Sequence, residues 1–315
     1  MSKVELYKDV KNSLGEGITW SSIDQSLLWV DIKPKSVLFR INLDNEKLET
    51  FDLPDFVTAT SIISKNEIAL VSNNGVNKFN FQSKKYERII NVEDDILTNR
   101  SNDGASDAKG RLWFGTMQNN FNQDGSAKSL NAKSGSLYCL SDNKVNIVET
   151  NLGIPNTFVW SPDNTKFYFA DTTEGSLLEY KFNLDEGSLS DKKNFFNFDR
   201  GAPDGSTIDS DGFIWNCRWG GSCVVKIDPK GRVDQIYELP VENVTNCVFG
   251  GNDLKTLFIT TANNSGKNKY DGSLFALNVT TPGIDCLLYT SDAADDGLGV
   301  GRGGGRGGAG GGGGG

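Results

Sequence analysis

The amino-acid sequence predicts an all-β fold, a six-bladed β-propeller. Short apolar segments recur six times along the chain, and their starts are 41, 44, 55, 47 and 43 residues apart. A second strand-like segment follows each of them, and no long stretch has the apolar spacing typical of a helix. Several short strands in every unit of about 40–50 residues are typical of propeller blades.

The first strand of each repeat usually follows a cluster of turn-forming residues. Five of the six are preceded by Asp or Asn together with Ser, Gly or Lys, which tolerate positive φ or cap their own backbone in tight turns. These first strands are predicted at 26–32, 67–73, 111–117, 166–172, 213–219 and 256–262. The second strands are predicted at 37–43, 75–81, 136–141, 176–182, 223–228 and 273–279.

Two segments outside these strands bear on how the ring is completed. Residues 4–10 precede the first full repeat, and we expect them to supply the outer strand of the last blade, which leaves no sheet edge open. The longest interval between repeats contains residues 118–133, a polar segment that we expect to lie over one face of the ring.

The character of the chain changes abruptly at Cys286. The string CLLYTSDAAD at 286–295 resembles a translated sequencing adapter, and a run of G bases encodes the glycines that follow. We therefore expect residues 1–285 to form the propeller and residues 286–315 to be a disordered, glycine-rich, non-native read-through tail. A disordered RNA-binding tail fits less well, because only two arginines stand among the glycines.

Composition excludes several classes of function. The 315-residue chain has a net charge of −9 and contains no histidine. The negative charge argues against nucleic acid or an anionic membrane surface as partner. The absence of histidine excludes Ser-His-Asp and Cys-His catalysis and every imidazole metal site. We expect a cytoplasmic protein, because the polar N-terminus lacks the shape of a signal peptide and no apolar run approaches the ~18 residues of a membrane span.

Polar residues beside Gly or Pro stand at a repeated distance before the predicted blade strands. Glu16, the pair Asn102 and Asp103, Asn156 and Asp204 each precede a strand by about eight to ten residues. Because loops at one end of a propeller converge on its central channel, these side chains should meet there. Carboxylate and amide oxygens suit Ca²⁺, Mg²⁺ or Mn²⁺, so we expect a metal site in the channel. Each residue alone would more often be a turn former, and the repeated offset is what favours a site.

Residues 100–117 contain both a group of candidate site residues and a predicted blade strand. A polar loop at 100–104 carries a guanidinium, an amide and a carboxylate, and an apolar strand follows at 111–117. Arg100 offers a fork of donors for polyol or carboxylate oxygens. Its alternative role is a salt bridge with Asp103 or with another loop carboxylate.

Four strings along the chain carry a resemblance to a known family. They are GEGITW at 15–20, NDG at 102–104 with GRLWFGTM at 110–117, Asn156 with WSPD at 160–163, and PDG at 203–205. In order and spacing, from about residue 10 to 280, they resemble the gluconolactonase/regucalcin (senescence marker protein) family. The resemblance implies a lactonase-like six-bladed propeller over residues 1–285 that holds one divalent metal ion and hydrolyses sugar lactones.

The resemblance also implies a role for each matching residue. Glu16, Asn156 and Asp204 would be the metal ligands, and Asp204 would in addition be the catalytic base that activates water. Arg100 and Asn102 would bind the substrate. The ion would be Ca²⁺, Zn²⁺, Mg²⁺ or Mn²⁺ and would act as the Lewis acid in a site without histidine. The expected partner is a small sugar lactone, with no nucleic acid and no membrane, and the expected state is a monomer or weak homo-oligomer.

Two positions depart from the family pattern. Where some relatives have Asn-Gly, this chain has Asn156 followed by Thr157, and where animal members place a substrate-binding glutamate it has Asn120. Glycine permits positive φ, so we expect a slightly different backbone at Thr157. The change at Asn120 bears on which sugar is preferred.

Two other functions remain open at this point. A related esterase or phosphotriesterase would use the same polarised-electrophile site on another ester. A calcium- or ligand-binding propeller would bind its ligand without any turnover. The intact set of Glu16, Asn156 and Asp204, together with Arg100, favours an enzyme.

Overall fold

The structure is a computed structural model that describes residues 3–33, 35–263, 266 and 268–290. Within these ranges the strands form six four-stranded sheets, and neighbouring strands in each sheet run antiparallel. The prediction of an all-β, six-bladed propeller is therefore confirmed. No helix in the described ranges is long and apolar enough to cross a membrane.

Each of the first five blades uses four consecutive strands, and the sixth combines strands from the two ends of the chain. The chain starts with β1 (Glu5–Lys8). Blade one is β2 (Gly15–Ser21), β3 (Ser26–Asp31), β4 (Val37–Asn42) and β5 (Lys47–Asp52). Blade two is β6 (Val57–Ser64), β7 (Glu67–Ser72), β8 (Gly75–Asn80) and β9 (Tyr86–Asn91). Blade three is β10 (Asn99–Ser106), β11 (Leu112–Gln118), β12 (Gly135–Ser141) and β13 (Lys144–Leu152).

The remaining blades continue the same order. Blade four is β14 (Pro155–Trp160), β15 (Lys166–Asp171), β16 (Ser176–Asn183) and β17 (Ser188–Asn197), with a 3₁₀ turn at Thr172–Glu174. Blade five is β18 (Ala202–Ile208), β19 (Ile214–Trp219), β20 (Cys223–Ile227) and β21 (Val233–Glu238). Blade six contains β22 (Asn243–Gly250), β23 (Thr256–Ala262) and β24 (Leu274–Asn278).

The strands predicted from sequence are the second and third strands of each blade. Their observed bounds agree with the predicted segments to within one residue at either end. The predicted polar loop at 100–104 is wrong, because these residues lie inside β10. β10 is the first strand of its blade, and first strands line the channel. Polar side chains there face other polar groups, so a strand that lines the channel can have the polar composition that is otherwise typical of a loop.

Strand β1 closes the ring. It pairs antiparallel with β24, with Glu5 opposite Ala276 and Leu6 opposite Phe275. Val4, just before β1, is buried in the same apolar cluster as Phe275. The expectation that residues 4–10 complete the last blade is therefore confirmed for β1. This pairing covers the outer edge of β24, which would otherwise present unpaired backbone groups.

Buried aromatic side chains pack between and within the blades. Trp29, Trp113 and Trp215 are at most 1% exposed. The indole Nε1 of Trp113 donates to Asp107 Oδ2 at 2.8 Å, and that of Trp215 donates to Asp209 Oδ2 at 3.1 Å. Both aspartates also accept backbone N–H groups of their own turn. The turn before each of these two strands is thus tied to the core of its blade.

The described part of the chain extends five residues past the boundary predicted at Asp285. The N–H of Tyr289 donates to the Ile62 carbonyl at 2.8 Å, and the N–H of Thr290 donates to the Gly110 carbonyl at 3.0 Å. Cys286 Sγ accepts the N–H of Trp20 at 3.4 Å. Residues 286–290 thus lie against the propeller, which differs from the disorder expected for them. The rest of the predicted tail, 291–315, lies outside the described residues.

Candidate metal and substrate site

The first strand of every blade lines the central channel. These six inner strands, β2, β6, β10, β14, β18 and β22, contact one another in a closed ring. Each of them has a break in its pairing register with the second strand, and the break begins within the first three residues of the inner strand. The breaks fall between Glu16 and Thr19, Val57 and Ala59, Ser101 and Gly104, Asn156 and Val159, Pro203 and Ser206, and Val244 and Cys247.

These bulges explain why the predicted site residues come together. A β-bulge leaves residues unpaired and re-aims their side chains. Glu16 and Asn156 are the last paired residues before a bulge, whereas Asn102 and Asp204 lie within one. Four different blades thus place their polar residues at one level of the channel.

The carboxylates at this level influence one another through their charges. Burial, followed by the charges of Asp204 and Asp103, raises the pKa of Glu16 well above its ordinary value. Burial and the charge of Asp103 likewise raise the pKa of Asp204, against the opposing effect of Arg218 and Arg100. Burial is the largest cause of both shifts, and the charges of the other carboxylates add to it because little water screens them. Asp204 is 5% exposed.

Asp103 is a third acidic group at this level. Burial raises its pKa to about 6, while hydrogen bonds from the N–H groups of Gly104 and Thr157 oppose the shift. The Gly104 N–H lies 2.9 Å from Oδ1. The sequence singled out Asp103 by its position but assigned it no ligand or catalytic role.

The two amides form a direct contact. Asn102 Nδ2 donates to Asn156 Oδ1 at 2.9 Å and to the Pro155 carbonyl at 2.9 Å. Asn156 Nδ2 donates to Thr172 Oγ1 at 2.8 Å. The orientation of the Asn156 amide is fixed, because its Nδ2 donates to Thr172 and its Oδ1 accepts from Asn102. One lone pair of its Oδ1 is taken by Asn102, which leaves the other for a further partner.

Arg100 is held in place by its neighbours. Its Nε and Nη2 donate to Asn120 Oδ1 at 3.1 and 2.9 Å, and its Nη1 donates to Asn102 Oδ1 at 2.9 Å. The guanidinium carbon lies 5.1 Å from the ring centre of Phe121. Burial lowers the pKa of Arg100 to about 10, although Glu16 and Asp204 counteract this. Arg100 remains charged at neutral pH, and the salt bridge with Asp103 considered from the sequence is not among the ion pairs of the described residues.

Sequence reasoning missed Asn246 on β22. Its Nδ2 lies 3.5 Å from Asp103 Oδ1, and its side chain also hydrogen-bonds Glu16. A Cβ added at Gly205 would lie 2.1 Å from Asn246 Cγ, so the glycine beside Asp204 is what allows Asn246 to fit. The repeated offset could have identified Asn246 from the sequence. It precedes the strand that starts at Thr256 by ten residues, as Glu16 and Asn156 precede their strands.

The donor set allows a hard divalent ion but limits its ligands. Among the described residues, no group of three or more Cys, Asp and Glu side chains could hold a metal ion. A site here must therefore combine two carboxylates with an amide oxygen, as the set of Glu16, Asn156 and Asp204 does. Poorly solvated carboxylates that repel one another are costly without a compensating cation. A divalent ion bound by oxygen ligands would neutralise both, so these residues fit it.

A six-bladed propeller with acidic, amide and guanidinium groups gathered in its channel defines the class of this protein. Residues 14–263 match the family model described as the SMP-30/Gluconolactonase/LRE-like region, and the chain belongs to this family. The resemblance noted in the sequence is thereby confirmed.

Relatives of known sequence cover most of the chain. A Bacillus subtilis protein with the provisional name sugar lactone lactonase YvrE is 32% identical over 91% of this chain and 98% of its own length. The pentonolactonase XacC of Haloferax volcanii is 30% identical over 87% of this chain and 94% of its own. The regucalcin of Sus scrofa is 29% identical over 79% of this chain and 83% of its own.

Two solved structures share the fold closely. A luciferin-regenerating enzyme superposes with a TM-score of 0.84 at 27% identity and covers 91% of this chain and 99% of its own. A regucalcin from Agrobacterium tumefaciens, described as a calcium-binding protein, superposes with a TM-score of 0.83 at 27% identity and covers 90% of this chain and 96% of its own.

Proposed function

We propose that this protein is a metal-dependent lactonase that hydrolyses sugar lactones. The observation that carries the proposal is the pair of neighbouring carboxylates, Glu16 and Asp204, in a channel that also holds Asn156 and Arg100. The names of the Bacillus and Haloferax relatives support lactones as the substrate class. The calcium-binding regucalcin of Agrobacterium supports a divalent ion.

Glu16, Asn156 and Asp204 would hold the ion. When bound, it would supply Lewis acidity toward the lactone carbonyl and toward water. The proposed ligands come from blades one, four and five. Because Asn102 and Thr172 fix the amide of Asn156, this ligand needs little reorganisation to offer its oxygen.

Asp204 would act as the base. Its carboxylate accepts the proton of a water molecule as the water oxygen forms a bond to the lactone carbonyl carbon. The ring C–O bond then breaks, the ring oxygen takes the proton from Asp204 and leaves as a hydroxyl group, and an aldonic acid is released. Burial raises the pKa of Asp204 in the metal-free site, and a bound cation would oppose this shift.

Arg100 and Asn102 would bind the sugar. Arg100 is a buried cation whose guanidinium donates to Asn120, Asn102 and the Ser101 carbonyl. This leaves one N–H of Nη2 for the sugar, and little side-chain freedom is lost when it binds. The aromatic rings of Phe121 and Phe56 lie within about 6 Å of its guanidinium and flank it with apolar surface. Such a mixed surface suits a sugar, which has polar edges and apolar faces.

The test is lactone hydrolysis by the full chain after removal of bound metal. Gluconolactone is added, acid release is followed, and Ca²⁺, Mg²⁺, Mn²⁺ or Zn²⁺ is returned one at a time. We expect no turnover above the spontaneous rate without metal and restored turnover with at least one ion. Full activity in the stripped protein would remove the metal from the mechanism. Failure of every ion with gluconolactone and with pentonolactones would overturn the proposed activity.

A second candidate is a calcium-binding propeller without catalytic activity. The similarity to regucalcins favours it. The same experiment separates the two functions, since tight ion binding by calorimetry without hydrolysis of any lactone would support the second. Turnover of aryl esters or phosphotriesters in place of lactones would instead indicate the related esterase.

A further inference from the structure

Thr157 has a backbone conformation that its side chain disfavours. Its φ is 58°, in the left-handed region, although a β-branched residue rarely adopts such an angle. The equivalent position in blade one, directly after Glu16 and in the same bulge, is Gly17 with a φ of 56°. Two blades of this chain therefore need the same backbone angle after a proposed ligand, and only blade one uses the residue that adopts it without strain.

The strain is offset by contacts that only a hydroxyl-bearing side chain can make. Thr157 Oγ1 donates to the Asp204 carbonyl at 2.6 Å and lies 2.8 Å from Ser206 Oγ. The side chain is completely buried. The left-handed backbone also directs the Thr157 N–H to the Asp103 carboxylate. Thr157 thus touches the backbone of Asp204 and the side chain of Asp103 while it is bonded to Asn156.

The Thr157 hydroxyl is the end of a chain of hydrogen bonds that starts at Arg218. Arg218 Nη1 donates to Asn216 Oδ1 at 3.0 Å, and Asn216 Nδ2 donates to Ser206 Oγ at 2.9 Å. The Thr157 proton goes to the Asp204 carbonyl, so Ser206 donates to Thr157 in the consistent set of bonds. Arg218 and Asn216 are fully buried, and Arg218 also donates to the carbonyls of Phe198 and Gly201 ahead of β18. The chain of bonds therefore fixes both the strand that carries Asp204 and its distance from blade four.

We propose that Thr157 is a positioning residue that sets the spacing between Asn156 and Asp204 for the ion, through its hydroxyl and at the cost of backbone strain. The inference rests on the proposed metal site but not on lactone turnover. It predicts that the hydroxyl, and not the size or the branching of residue 157, governs ion affinity. A glycine would relieve the strain and still weaken the site, because blades four and five would lose their link.

The test uses three substitutions in the full chain: Thr157→Ser, Thr157→Val and Thr157→Gly. Thr261→Val is the matched control, because Thr261 is also buried. Its hydroxyl donates to the Ser273 carbonyl at 2.6 Å and not to a proposed ligand. Affinity is measured by calorimetry with whichever of Ca²⁺, Mg²⁺, Mn²⁺ and Zn²⁺ the wild type binds most tightly. Near-ultraviolet circular dichroism and thermal melting show that each variant is folded.

We expect Thr157→Ser to bind the ion within about threefold of wild type, and Thr157→Gly and Thr157→Val to bind about 10–100-fold more weakly, as changes in residues that orient ligands do. For a hydrolysed lactone, kcat should fall in these two variants with KM nearly unchanged. Wild-type affinity in Thr157→Gly, or equal losses in the serine and valine variants, would overturn the inference. So would a wild type that binds no divalent ion. A wild type that binds the ion but turns over no lactone would remove the proposed activity alone and leave this comparison intact.

Discussion

At the scale of single residues, Asp204 is the side chain on which most of the proposed chemistry depends. Asp204→Asn keeps its size and removes the negative charge that both the ion and the proton transfer need. We expect kcat for gluconolactone to fall by at least about 100-fold, the range lost with a general base, and ion binding to weaken as well. Initial rates and calorimetry measure the two effects.

The control for this substitution is Asp211→Asn in the exposed turn of the same blade. It makes the same chemical change outside the channel and should leave both quantities as in wild type. An Asp204→Asn enzyme with the wild-type rate would show that another group accepts the proton.

Asn120 acts on the proposed sugar site through Arg100. Asn120→Ala removes the amide oxygen that accepts from Nε and Nη2 of Arg100, and so loosens one side of the guanidinium. We expect KM for the lactone to rise about 3–10-fold, the equivalent of one or two hydrogen bonds, with kcat little changed. Asn122→Ala, in the same loop, loses a side-chain bond only to Ser126 and should have no effect. Steady-state kinetics measure both constants. An unchanged KM in Asn120→Ala would argue against Arg100 as a sugar ligand.

At the scale of strands, the sequence predicts the strands that pack against apolar neighbours, but it assigns the channel-lining residues of β10 to a loop. Apolar residues after a turn cluster, as in β11 and β15, could be located to within one residue. β10 has polar residues at its bulge because it lines a channel of charged and amide groups, and that composition is typical of a loop. The offset of Glu16, Asn156 and Asp204 before the next strand was still visible, since the hairpin that joins the first two strands has a similar length in each blade.

The finer features of the site depend on three-dimensional contacts that no local pattern contains. Asn246 joins Asp103 and Glu16 only because β22 lies beside β2 in the closed ring. The positive φ of Thr157 runs against its residue type, so sequence alone favours a different backbone there. The clamp on Arg100 likewise requires Asn120 to approach from a long loop.

Strand β1 should matter to stability more than its length suggests. Deletion of residues 1–8 would expose the edge of β24 and uncover Phe275, which is 2% exposed in the closed blade. We expect the melting temperature to fall by at least about 5 °C, because the loss of an edge strand costs several backbone hydrogen bonds and apolar contacts. Size-exclusion chromatography should show association of the truncated protein through the open edge.

Leu6→Ala is the control for the deletion, because Leu6 is already 42% exposed and the backbone pairing is kept. Its melting temperature should stay close to that of wild type. A truncated chain that is as stable as wild type and does not associate would show that β1 does not secure the ring.

At the scale of the whole molecule, the acidic channel should make metal-free stability depend on pH. Asp103, with a pKa raised to about 6, binds protons more tightly when folded than when unfolded, and the pKa values of Glu16 and Asp204 are raised as well. The stabilisation is complete below the unfolded pKa of about 4 and is lost as the pH rises through the folded values. A tenfold difference in proton affinity between the folded and unfolded states corresponds to about 1.4 kcal/mol of stability.

We therefore expect the metal-free protein to melt at a lower temperature at pH 8 than at pH 5. A bound divalent ion should remove most of this difference by neutralising the carboxylates at the higher pH. Asp103→Asn should raise the melting temperature of the metal-free protein at pH 8 and flatten its pH profile. Thermal melting across this range, with and without the ion, provides the measurement, and a profile that rises steadily from pH 5 to pH 8 would contradict the expected sign.

The partner of β1 in the closed ring is the last strand that the structure describes. A ribosome makes β1 before every other strand and β24 after them, so the ring has to stay open while the chain is being made. Glu16 is synthesised first, then Asn156 and then Asp204. Until β24 pairs with β1, no closed channel holds the three residues at one level. We therefore expect nascent chains to be unable to capture the ion. Metal loading would then be confined to chains in which β24 has paired with β1, whatever the ion concentration around the ribosome.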